Sequence, residues 1–189
     1  MKLVFATNNS NKLSEIRSLV PDRIEILSLK EINCNEELPE TNPTLKENAL
    51  QKARYVFDNY GFNCFADDTG LEIDALGGEP GVYSARYAGE DCSAEDNMNK
   101  VLEKLEGEEN RKAKFRTVIA LIIDGKETLF EGECKGEITQ TKSGVEGFGY
   151  DPIFIPNGYQ LTFAEMNKVE KGAISHRGKA IKRLVVFLC

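Results

Sequence analysis

Histidine occurs once in this chain, at position 176. A single imidazole excludes a multi-histidine metal centre and any mechanism that needs two histidines. The cysteines (Cys34, Cys64, Cys92, Cys134 and Cys189) are odd in number and widely spaced, and no C-x-x-C pair occurs. That pattern fits reduced thiols rather than a disulfide framework or a zinc site. Long apolar runs are missing: nothing approaches the ~20 residues of a membrane span. The opening Lys2-Leu3-Val4-Phe5-Ala6 is too short for the core of a signal peptide. The expectation is a cytoplasmic protein with no membrane partner. Positive charge is outnumbered, 24 Lys and Arg against 31 Asp and Glu. A net charge of −7 argues against a general nucleic-acid binder. It leaves room for a small polyanion, which needs only a few local cations and a metal ion.

What is present reads as one globular domain over 1–189, with 41% hydrophobic and 29% charged residues and room for two lobes. The pattern predicts a strand over 2–7, a helix over 12–20 with Leu13, Ile16 and Val20 on one face, and a short strand over 25–29. An acidic loop follows over 31–43. Thr44, with Glu47 three residues on, caps a helix that ends near Gly61. Residues 64–66 form a strand expected to stop at Asp67-Asp68-Thr69-Gly70, and Leu71-Glu72-Ile73 alternates as a further strand. Ser93-x-x-Asp96 opens a helix, and strands over 113–123 and 127–134 flank the turn Asp124-Gly125. A glycine-bearing loop over 147–155 enters a strand, and a last helix covers 175–188. Alternating helices and strands followed by a hairpin indicate an α/β protein with a mixed sheet.

Five segments could carry chemistry. Thr7-Asn8-Asn9-x-x-Lys12 lies where a strand meets a helix N-terminus, whose N–H groups favour anions; an ordinary helix cap is the alternative. It lacks the G-x-x-x-x-G-K-[ST] of a Walker loop. In Asp67-Asp68, strand alternation sends the two carboxylates to opposite sides, so one faces the site and can hold Mg²⁺ while the other ties down the loop. A polar turn is the competing explanation. Glu36, Glu37 and Glu40 form the acidic loop, of which Glu40 is the choice for a second metal carboxylate; a solvated charged loop would look the same. In Gly147-Phe148-Gly149-Tyr150-Asp151-Pro152, glycines admit close backbone approach, an aromatic can stack on a base and Asp151 can accept from a base N–H. A turn with core aromatics is equally compatible. In Lys171-x-x-x-Ser175-His176-Arg177, the imidazole and guanidinium can donate to a carbonyl or phosphate, or cap a helix.

Together these segments resemble the Ham1/RdgB family of inosine triphosphate pyrophosphatases. The resemblance rests on Thr7-Asn8-Asn9-x-x-Lys12, Glu47-Asn48-Ala49-x-x-Lys52-Ala53 and Phe65-Ala66-Asp67-Asp68-Thr69-Gly70-Leu71. It continues through residues 76–87, Gly147-Phe148-Gly149-Tyr150-Asp151-Pro152-Ile153-Phe154 and Ser175-His176-Arg177-Gly178-x-Ala180. Six matches in family order span nearly the whole chain. Thr69 stands where the family usually has serine.

The resemblance implies an elongated mixed β-sheet flanked by helices, in two lobes with a cleft between them, and a homodimer. It implies hydrolysis of non-canonical purine nucleoside triphosphates (ITP, dITP, XTP) to the monophosphate and pyrophosphate, keeping these bases out of DNA and RNA. One Mg²⁺ per subunit is expected, with Mn²⁺ as a substitute. By position, Thr7, Asn8, Asn9, Ser10, Asn11, Lys12 and Lys52 would hold phosphates. Asp68 would be metal ligand and proton acceptor, with Glu40 as second ligand and Thr69 on the substrate. Phe148, Gly149, Tyr150, Asp151, Lys171, His176 and Arg177 would form the pocket for base and phosphate. His176 and Arg177 donating to the 6-oxo group would disfavour adenine, whose amino group leaves them facing another donor, at about 1–3 kcal/mol. Two alternatives remain open: a Maf-type pyrophosphatase for pyrimidine or modified nucleotides, and a non-catalytic nucleotide sensor.

Overall fold

The computed structural model describes residues 1–188. Its strands are β1 (Lys2–Phe5), β2 (Glu25–Leu27), β3 (Cys64–Ile73), β4 (Lys112–Ile123), β5 (Lys126–Ile138) and β6 (Phe154–Pro156). They form one six-stranded sheet in the order β2-β1-β3-β4-β5-β6. β1 runs parallel to β2 and β3, and β6 antiparallel to β5, so the sheet is mixed as expected. The helices are α1 (Ser10–Leu19), α2 (Leu45–Tyr60), α3 (Ala94–Lys104), α4 (Lys168–Ile174) and α5 (His176–Phe187).

Local chemistry explains most of these bounds. Asn9 caps α1, accepting from the N–H groups of Asn11 and Lys12. Thr44 caps α2, which stops at left-handed Gly61, and Ser93 with Asp96 closes a capping box on α3. Asp124 and Gly125 both take positive φ, as a two-residue hairpin turn between β4 and β5 requires.

One expectation fails. β3 does not stop at Asp67; it runs unbroken through Asp67, Asp68, Thr69 and Gly70 to Ile73. Carboxylates normally end a buried strand, because burying an unpaired charge costs several kcal/mol. Here lysine and arginine side chains from α1, α2 and α5 meet both carboxylates, so the strand continues. The helix α4 was also not expected, although Asn167 and Glu170 form its capping box.

The chain divides into two compact units. The first comprises Met1–Asp68, Thr117–Gly132 and Arg177–Cys189; the second comprises Thr69–Arg116 and Glu133–His176. The first unit has two cores. One gathers Val4, Ala6, Cys64 and Ala66 under Ala49, Ala53 and Val56 of α2. The other gathers Leu3, Phe5 and Phe65 with Ile16 of α1 and Ala180, Ile181 and Leu184 of α5, and Phe5 stacks on Phe65 at 4.7 Å. The second unit packs Leu71, Ile73, Met98, Val101, Phe115, Phe154 and Phe163 into one core. Among the described residues no helix is long and apolar enough to cross a membrane.

Candidate active site

Strand alternation sorts the reactive groups of the first unit. Cys64 and Ala66 face the core under α2, and Phe65 faces the core with α1 and α5. Continued by the period of two, Asp67 points with Phe65 and Asp68 with Ala66. The contacts follow this division. Asp67 Oδ1 accepts from Lys12 Nζ of α1 at 3.0 Å, and Asp67 Oδ2 accepts from Arg177 Nε of α5 at 3.3 Å. Asp68 faces α2, where its Oδ1 lies 3.8 Å from Lys52 Nζ.

Lys52 joins the two sides. Its ammonium donates to Glu40 and, at 2.7 Å, to the backbone carbonyl of Asp67. Glu40 and Asp68 therefore face the same cation, one from the acidic loop and one from β3. Asp67, Lys52 and Asp68 are all buried.

Burial and neighbouring charge pull the two aspartates apart. Burial opposes ionisation of Asp67, but Lys12, Arg177 and Lys52 more than offset it and hold its carboxyl well below the usual range. At Asp68 burial dominates. Helped by the Glu40 and Asp67 carboxylates and opposed by Lys52, it lifts the carboxyl to about 6. Burial draws the Lys12 ammonium below its ordinary value despite Asp67. Lys52 is also desolvated, yet Asp68, Glu40 and Asp67 hold it above the ordinary lysine value.

The donors suit a hard divalent cation. Such an ion takes oxygen ligands, and one of Mg²⁺ size needs only one or two protein carboxylates when phosphates complete its shell. Asp68 and Glu40 are two carboxylates already drawn to one positive charge. Among the described residues no larger cage of histidine, cysteine or acidic side chains gathers elsewhere.

Several of the side chains expected to bind substrate also have partners within the protein. Asn8 turns its carboxamide to the acidic loop, donating from Nδ2 to Glu36 O at 3.1 Å and accepting from Leu38 N–H at 3.2 Å. Asn9 caps α1, and Thr7 Oγ1 accepts from Asn9 N–H at 3.2 Å. These asparagines build the turn; an isolated motif does not reveal where a carboxamide will find backbone partners. Ser10 and Asn11 are exposed on the first turn of α1. Arg177 is buried and donates to Asp67 and Glu15. Glu15, one helical turn after Lys12, pairs with Arg177, a partner distant in sequence that no local pattern marks.

The second unit holds the aromatic residues. Asp151 Oδ2 accepts from Phe148 N–H at 2.9 Å and from Lys171 Nζ at 2.6 Å. Its carboxylate thus organises the turn. Gly147 is obligatory there, since a Cβ would lie 2.0 Å from that same oxygen. Tyr150 is buried and donates to Ser84 O at 2.7 Å, which leaves half-buried Phe148 as the accessible ring of the segment. Gly149 takes a left-handed φ of 64° beside it. The Lys171 ammonium sits 5.1 Å from the Phe148 ring centre and 5.6 Å from that of Phe163. His176 stacks on Phe115 at 4.6 Å and lies beside Phe163. Thr69, half-buried, opens the second unit's share of β3.

Comparison with known proteins finds similar chains over nearly the full length. The model of the Ham1 family matches residues 3–187. The dITP/XTP pyrophosphatase of Flavobacterium johnsoniae is 58% identical over 188 residues, covering 100% of this chain and 98% of that protein. That of Porphyromonas gingivalis is 54% identical, covering 99% and 97%. Among solved structures, the Ham1 protein of Staphylococcus aureus matches with a TM-score of 0.89 at 41% identity, covering 100% of this chain and 98% of that one. The HAM1 protein of Coxiella burnetii matches at 0.91 and 40%, with the same coverage.

Proposed function

The chain belongs to the Ham1 family, and on that premise we propose that it hydrolyses non-canonical purine nucleoside triphosphates, dITP, ITP and XTP, to the monophosphate and pyrophosphate. Relatives that share more than half its residues carry the name dITP/XTP pyrophosphatase. The observation that carries the reading is the convergence of Glu40 and Asp68 on Lys52, with Lys12 held alongside by Asp67.

Asp68 and Glu40 would hold one divalent cation, Mg²⁺ by preference and Mn²⁺ as a substitute. Bound there, the ion supplies charge neutralisation on the phosphates and polarises them toward attack. Asp68 orients a water and takes its proton. Without the ion, burial lifts that carboxyl to about 6, so it is ionised at neutral pH as a ligand and acceptor must be. Lys52 and Lys12 stabilise negative charge as pyrophosphate leaves. No covalent intermediate is required, since positioning and electrostatics carry phosphoryl chemistry. Arg177 acts through Asp67, holding it ionised so that Lys12 stays charged and in place.

Base recognition falls to the second unit. Phe148 offers a ring for stacking, Lys171 is steadied by Asp151, and His176 is fixed by Phe115. The family resemblance further supports a cytoplasmic homodimer in which each chain is a single domain of two lobes.

The test is pyrophosphate release from ITP, dITP, XTP, dTTP, UTP and GTP, with and without Mg²⁺. The purine substrates with a 6-oxo group and no 2-amino group should turn over fastest, and only with metal. Asp68→Asn should lower kcat by at least about 10²-fold with an unchanged circular dichroism spectrum. Near-normal turnover by that variant would remove Asp68 from the chemistry.

A further inference from the structure

Glu40 lies in a stretch, residues 34–44, that has no regular secondary structure. A carboxylate on such a loop samples many positions, and fixing it costs about 1–2 kcal/mol per ordered residue. A metal ligand must be held to within about 0.5 Å. The loop is fastened on both sides of Glu40. On the N-terminal side, the Asn8 carboxamide donates to Glu36 O and accepts from Leu38 N–H. The Glu36 carboxylate also accepts from Tyr60 at 2.6 Å. On the C-terminal side, Gln51 Oε1 accepts from Thr41 N–H at 3.0 Å and from Asn42 Nδ2 at 2.8 Å, while its Nε2 donates to Thr41 Oγ1 at 2.9 Å. Asn48 adds an acceptor for Asn42 N–H at 2.8 Å.

The origin of these clasps is informative. Asn8 immediately precedes the cap of α1, the helix that bears Lys12, and Gln51 adjoins Lys52 on α2. The loop that presents Glu40 is thus stitched to the two elements that supply the lysines.

We propose that Asn8 and Gln51 are positioning residues that fix the Glu40 carboxylate for a divalent cation, rather than groups that contact the nucleotide. This rests on the metal reading given above, and the experiment separates the two. Mn²⁺ binding to the full chain is followed by the loss of the free-ion electron paramagnetic resonance signal, for the wild type, Glu40→Gln, Asn8→Ala and Gln51→Ala.

Both clasp variants should raise the Mn²⁺ Kd about tenfold, the usual consequence of losing a group that orients a ligand. In pyrophosphate release the Mg²⁺ concentration for half-maximal rate should rise in parallel, with kcat restored at saturating Mg²⁺. A merely structural role would lower thermal stability without moving metal affinity, and added metal would not rescue it. If Glu40→Gln weakens Mn²⁺ binding while Asn8→Ala and Gln51→Ala stay within twofold of wild type, the clasp proposal is overturned and the metal site stands. If Glu40→Gln leaves Mn²⁺ binding unchanged, the metal reading fails and the proposal falls with it. Should Asn8→Ala not fold, Asn8→Asp keeps the acceptor for Leu38 N–H and loses the donor to Glu36, and the same rise in Kd is expected of it.

Discussion

Asp67 has no exposed surface, yet it is charged, and what surrounds it explains both facts. Lys12 and Arg177 each bring a hydrogen-bonded cation to one of its oxygens. Removing one partner of such a group leaves the others buried without compensation, which costs about 3–5 kcal/mol. Asp67→Asn should therefore lower the urea unfolding free energy by about that amount, although it changes one atom. The pH dependence has a definite sign. The folded carboxyl titrates below the unfolded one, so on acidification the unfolded chain binds the proton first. The stability Asp67 contributes is complete above about pH 4, the unfolded value. It is lost as pH falls through the lower, folded value. The wild type should lose stability as pH falls below about 4, and Asp67→Asn should show a shallower acid limb over the same range. An equally steep limb in the variant would mean that Asp67 is not the group held ionised. Its neighbour Asp68 is shifted the other way by burial, and this separation is what the proposed roles of anchor and proton acceptor require.

At the scale of elements, β3 shows where a sequence can be read and where it cannot. Helix caps and turns were legible because they are local: Thr44 and Gly61 bound α2, Ser93 and Asp96 open α3, and Asp124-Gly125 makes the hairpin turn. The opposed directions of Asp67 and Asp68 were legible from alternation alone. The length of β3 was not, because two carboxylates and a glycine read as a strand end. Their cations come from residues 12, 52 and 177, distant in sequence. Helix α4 was missed although Asn167-x-x-Glu170 signals it, and with it the element that aims Lys171 at Asp151. Partners of the Asn8 and Asp151 side chains were beyond reach for the same reason: each is chosen by a fold that the motif does not describe. Gly70, which looked like a turn residue, serves close packing within the strand. A Cβ there would lie 2.6 Å from Gly81 O, a backbone atom. Gly70→Ala should destabilise the protein by about 1–3 kcal/mol, the usual cost of overpacking. An unchanged melting temperature would show that the backbone at residue 81 yields freely.

For the molecule as a whole, the difficulty is electrostatic. A chain of net charge −7 must take a substrate that is itself strongly anionic. The network in the first unit does not by itself reverse the sign: Lys12, Lys52 and Arg177 face Asp67, Asp68, Glu40 and Glu15, three cations against four carboxylates. One divalent ion turns that deficit into an excess, so metal should govern nucleotide affinity as well as turnover. A unit charge roughly 8 Å away at an effective dielectric of about 20 contributes about 2 kcal/mol, more than the 1.4 kcal/mol that changes affinity tenfold. Calorimetry with the α,β-imido analogue of ITP at pH 7.5 should show at least about tenfold weaker binding in EDTA than in Mg²⁺. The same argument makes an inverse prediction for Asp68→Asn. Without its negative charge the variant should bind the analogue more tightly than wild type in EDTA, by roughly thirtyfold, while gaining less from Mg²⁺ and hydrolysing ITP poorly. Equal affinities of the two proteins in EDTA would mean that the phosphates do not feel the Asp68 charge, and the cation would then have to act on turnover alone.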